Sequence, residues 1–181
     1  MPYRSFICIA LLTLSLSGCA TQTPYQPAEK RGAEGYTETK LGDTRYRITF
    51  TGNSTTPAET VKDYALLRAG ELTLEKGSDW FQLVDSSNDK KVQTSTTVDS
   101  GLGIAPATEV YQRCGLLRCS TVVTTSPGYG SGFDVGTTTT SSSYTSSLEI
   151  VMGKKPMPNK VESYDARDLV TSLRGIMGKN K

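Results

Sequence analysis

The chain has 181 residues, enough for about one domain with a modest core. Its 20 Lys and Arg nearly balance 18 Asp and Glu, so the charge gives no reason to expect nucleic acid or an anionic surface as partner. Histidine is absent, which removes the commonest general base and the commonest metal ligand.

At the N-terminus, Arg4 precedes an apolar run over residues 6–16. A run of that length fits the hydrophobic region of an export signal and falls short of the roughly 20 residues that span a bilayer. It closes in Leu16-Ser17-Gly18-Cys19. This resembles the bacterial lipobox, in which small residues admit the peptide to a protease and the cysteine thiol accepts a diacylglycerol. The resemblance implies a signal peptide over 1–18 and palmitate-type acylation on Cys19. Each buried methylene is worth about 0.8 kcal/mol and a single chain anchors weakly, so two or three chains make attachment persistent. Ala rather than Asp follows the cysteine, and by the same resemblance this points to the outer membrane, with the domain facing the periplasm.

Residues 19–42 read as the acylated cysteine and a flexible tether, with Pro24, Pro27, Gly32 and Gly35 breaking any element. A single domain is expected over 43–178. Tyr46, Ile48 and Phe50 alternate with polar neighbours, predicting a half-buried strand over 45–51. Thr56-Pro57-Ala58-Glu59 has the form of a capping box opening a helix to about Lys76, with Gly77 as its stop. Ala58, Val61, Ala65, Ala69 and Leu72 form its core stripe. Strands follow over 80–84 and 91–98, and Trp80 is expected in the core.

The region 93–147 is a Ser/Thr/Gly-rich insertion. Thr favours long hairpin strands, whereas 127–132 favours a mobile turn, and strands flanking such a turn are expected. Alternation of Tyr144, Ser146, Leu148, Ile150 and Met152 predicts a last strand. A final helix begins at Asp165, with Ala166, Leu169, Val170, Leu173, Ile176 and Met177 as its apolar face. The order predicts an α+β fold, an antiparallel or mixed sheet with two helices on one face.

Arg45-Tyr46-Arg47-Ile48-Thr49-Phe50-Thr51-Gly52-Asn53, then Glu59-Thr60-Val61, then 66–73 (LLRAGELT), then Asp79-Trp80-Phe81, resemble the core of a family of small proteobacterial lipoproteins of unknown function. Tyr164-Asp165-Ala166-Arg167 is similar to that family's closing motif. The resemblance supports class and location and brings no catalytic residues.

Cys114 and Cys119, separated by Gly-Leu-Leu-Arg, read as a disulfide closing a tight hairpin in an oxidising compartment, against two free thiols in a loop. They lack the further ligands of a metal site. Cys8 leaves with the leader. Arg68 has Glu71 and Glu75 at helical spacing, which makes it either an edge ion pair with a packed stem or an arginine offered to a partner. Glu71 reads as a solvated helix-face acid beside Arg68, against the alternative of a lone acid in a glycan-cleaving site. Arg45 and Arg47 share the wet face of their strand. No Gly-x-Ser-x-Gly elbow occurs, and no His exists to activate one. Tyr111, Tyr129, Phe133 and Tyr144, set among small polar residues, make 93–147 either the recognition surface, with Tyr129 and Phe133 as contact residues, or a solvated hairpin with no partner. The expectation is a non-enzymatic, membrane-anchored lipoprotein without cofactor that binds an envelope protein or contributes structurally. The alternative is a cell-wall-directed binding module or a carboxylate-based hydrolase.

Overall fold

The computed structural model describes residues 21–97, 107–115, 119–127, 137–159 and 162–179. Seven strands and two helices occur in the order β1 (Gly35–Lys40), β2 (Arg45–Thr51), α1 (Ala58–Glu75), β3 (Trp80–Thr97), β4 (Ala107–Gly115), β5 (Cys119–Ser126), β6 (Thr137–Gly153), β7 (Ser163–Asp165) and α2 (Ala166–Lys179). The strands form one antiparallel sheet ordered β1-β2-β6-β3-β4-β5, with β7 pairing β3. The fold is α+β, with the helices packed against the sheet.

Alternation places the core. Tyr46, Ile48 and Phe50 of β2, Phe81 of β3, and Leu148, Ile150 and Met152 of β6 meet Val61, Ala65, Ala69 and Leu72 of α1. Full burial of such side chains contributes about 1.5–3 kcal/mol each. The far side of α1 is also covered: Leu67 packs with Val170 and Leu173 of α2. At this crossing the helices approach so closely that a Cβ on Gly70 would lie 2.7 Å from Val170 Cγ2. The apolar face predicted for α2 is buried at Ala166, Val170 and Leu173, whereas Ile176 is exposed. Asp165 caps this helix, its Oδ1 accepting from the Arg167 and Asp168 backbone N–H groups.

Several local expectations are corrected. Residues 21–42 do not form a tether throughout: β1 pairs β2 along its length, and Thr23 is 1% exposed. Pairing and hydroxyl bonding, not apolar periodicity, hold this segment, which is why periodicity missed it. The capping box does not form, since α1 starts without a side-chain cap. Instead the Thr56 hydroxyl accepts from the Thr23 backbone N–H and donates to Asn53 Oδ1. The two strands expected over 80–84 and 91–98 are one, β3, carried through an irregularity between Leu83 and Asp85 that reverses the alternation. Trp80 is half-buried rather than central, with Nε1 donating to the Lys154 carbonyl and its ring against Gly153. The last strand starts at Thr137, well before Tyr144.

Candidate interaction surface

β3 and β6 are far longer than the sheet beneath α1 requires. β2 pairs β6 only from Thr145 to Val151, while β3 follows β6 down to Thr137. Beyond the end of β2 the two long strands continue side by side, and β4 and β5 join them on the β3 side. The result is a four-stranded wing. Among the described side chains of β4 and β5 none belongs to the buried core, and residues 120–126 are exposed throughout. Ser and Thr dominate because strands wet on both faces need β-propensity without apolar burial.

Two ion pairs cross β3 and β4 on the wing, and Lys90 lies over the Tyr144 ring. Arg113 reaches Asp89 with two hydrogen bonds of 2.9 and 3.2 Å. Lys91 pairs Glu109 at 3.2 Å and lies 5.2 Å from the Tyr111 ring centroid. Bonding to Tyr111 and then to Glu109 raises the Lys91 pKa, and Glu109 is lowered by Tyr111 and Lys91. β5 carries no charge. Its Val122 and Val123 are 57% and 60% exposed and sit beside Tyr111 and Val110, on opposite faces of the wing.

Where the wing leaves the domain, Gly32, Glu34 and residues 52–54 meet it in an open polar cleft of about 320 Å³. Hydroxyls of Thr51 and Ser141–Ser143, the amides of Asn53 and Gln93, Lys91 and Glu34 line it. Thr51, Lys91, Gln93, Ser141 and Ser143 alternate with the helix-facing positions, so the cleft opens chiefly on the face opposite the helices. On that face Arg45 and Arg47 both bond Glu149, whose pKa is lowered by Arg47 and then Arg45.

Arg68 lies on the other side of the sheet and is 9% exposed. It donates to Glu38 of β1 and to Glu71 and Glu75 of its own helix, and it covers the Tyr36 ring. Burial pulls its pKa down, but bonds to Glu75 and Glu38 outweigh that and hold it above the ordinary arginine value. Glu71 in turn accepts from the Tyr25 hydroxyl, Arg68 and Arg174, which fastens the N-terminal segment and α2 to α1. Burial and the bond to Glu71 push the Tyr25 hydroxyl above the usual phenol range. Both residues sequence reasoning had offered for recognition or acid chemistry on α1 thus sit within a clasp that closes the domain.

Cys114 and Cys119 face each other in the β4–β5 register. Leu16, Ser17, Gly18, Cys19, Tyr129 and Phe133 lie outside the described residues, as does the side chain of Cys119. Among the described residues no group of three or more His, Cys, Asp or Glu is placed to hold a metal, and no helix is long and apolar enough to cross a membrane. The exposed edge at Val122 and Val123 was missed. Its β-branched run is visible in the sequence, but its position at the border of the sheet belongs to the topology. No family model, curated protein or solved structure matches the chain.

Proposed function

We propose that this is a lipoprotein of the bacterial outer membrane, acylated on Cys19 after removal of 1–18, whose domain recognises a protein of the envelope through the β3–β6 wing. The observation that carries the reading is the wing itself: four strands standing clear of the core, with small hydroxyl side chains, an exposed tyrosine and two exposed valines. Such surfaces give contact area at low ordering cost. A disulfide between Cys114 and Cys119 staples the β4–β5 turn in this reading, and the facing register supports it.

The anchor reading gains a geometric consequence. Thr23 is already bonded into the domain through Thr56 and Asn53, so the chain from Cys19 to that point is four residues. Fully extended, four residues reach about 14 Å. The domain therefore sits against the bilayer rather than on a long leash, and the attachment emerges at the end of β2 beside the root of the wing. The alternative of a cell-wall-directed module or carboxylate-based hydrolase rests on the polar cleft, where Glu34 is the single carboxylate in the lining; a glycan-cleaving pair of the ordinary kind requires two.

Fractionation of cells expressing Cys19→Ala tests the anchor. Loss of the protein from the salt- and alkali-washed membrane fraction is expected. Retention there contradicts the reading; among the described residues no helix is long and apolar enough to cross a membrane.

A further inference from the structure

We infer that the outer edge of β5 pairs antiparallel with β5 of a second copy of this chain, joining two wings into one eight-stranded sheet. This deepens the protein-recognition reading and rests on it.

The two borders of the sheet are built differently. At β1 the edge is guarded: the Ala28 N–H donates to the Tyr36 carbonyl and the Tyr36 N–H to the Gln26 carbonyl, with Pro27 bridging to Tyr36. Beyond that cover β1 carries Glu38 and Lys40, charges of the kind that deter strand addition. At β5 none of these devices is present. Cys119–Ser126 holds neither a charged residue nor a proline, and among the described residues nothing pairs its outer side. An edge of that length leaves a row of backbone donors and acceptors open to another strand.

The chemistry of the edge selects its occupant. An uncharged strand suits the seat, because both charges of the adjacent strand β4 are already taken up, Arg113 by Asp89 and Glu109 by Lys91. It also has to offer apolar side chains on both faces, since Val122 extends the Tyr111 side and Val123 the Val110 side. β5 itself has both properties. A two-fold axis perpendicular to the sheet sets β5 antiparallel to its copy, keeps each face on its own side, and brings valines together across the new border. A two-fold contact of β5 with its own copy is isologous and uses that edge on both molecules, so this pairing closes at the dimer instead of propagating as a filament.

The test uses the full acylated chain, extracted in detergent and examined by sedimentation across a concentration series. Wild type is expected to dimerise. The double variant Val122→Lys, Val123→Lys, at two exposed positions, is expected to keep its melting temperature and to weaken dimerisation by at least about tenfold. A wild type that stays monomeric throughout, or a double variant that dimerises unchanged, overturns the inference. A second measurement does not depend on the variant folding: a photo-reactive residue at Val123 in whole cells. Adducts between two copies support self-pairing. Adducts solely with a different protein overturn it while leaving protein recognition by the wing intact, and absence of any adduct from every wing position overturns both.

Discussion

The Thr23 backbone N–H donates to the Thr56 hydroxyl at 2.9 Å, joining residues 33 positions apart in a buried bond. The same threonine pair closes a small network: Thr23 Oγ accepts from the Asn53 N–H and donates to Glu34, and Thr56 donates to Asn53 Oδ1. Through it the segment nearest Cys19 is locked to the loop between β2 and α1, which turns a nominal tether into part of the domain.

Replacing Thr56 with Val keeps the shape and removes both bonds. The Thr23 N–H is then buried without a partner, a loss of about 1–3 kcal/mol. Thermal unfolding should fall accordingly, with amide exchange at Thr23 accelerated and that in β6 nearly unchanged. An unaltered melting temperature together with unaltered exchange at Thr23 contradicts the role given to the Thr23–Thr56 network.

Tyr25 predicts the alkaline limit. Its folded pKa is raised, by burial first and by the bond to Glu71 second. A raised acid contributes stability that is complete below the unfolded value, about 10 for tyrosine, and that is lost as pH rises above it toward the folded value. Stability should therefore decline above about pH 10, and Tyr25→Phe should flatten that decline. On the acid side Glu75 is lowered, chiefly by its bond to Arg68. Its contribution is present above the ordinary glutamate value and fades as pH drops through the folded one. Urea midpoints measured across pH check both signs, and an alkaline decline of equal slope in Tyr25→Phe refutes the assignment.

Legibility followed the physics of each element. β2, α1, the inner half of β6 and α2 were readable because one face of each is buried, and burial writes period 2 or 3.6 into the residues. Gly77 was readable as a stop because its φ of 73° favours glycine. β1 was not, since Tyr36 is its one large apolar residue and backbone pairing forms it. The continuity of β3 was hidden at Val84, where the irregularity moves the core-facing set from Phe81 and Leu83 to Ser86 and Asn88. The wing strands, open to water on both faces, carry no alternation to read. Composition alone singled out 93–147, while Tyr129 and Phe133, chosen within it as contacts, lie outside the described residues.

The facing register of Cys114 and Cys119 predicts a bond that acts locally on the β4–β5 turn. Closing so small a loop contributes at most about 3 kcal/mol. Protein purified from cells without reductant should leave both cysteines unlabelled by a thiol reagent and label both after reduction. Labelling of both before reduction refutes the bond.

The central claim is that recognition belongs to the wing and not to the helices. Photo-reactive residues placed singly at Tyr111, Thr121 and Ile176, all exposed, test it in whole cells expressing the full-length chain. Protein adducts at Tyr111 and Thr121, with none at Ile176, are predicted. Adducts confined to Ile176 would place the binding face on α2 and contradict the account.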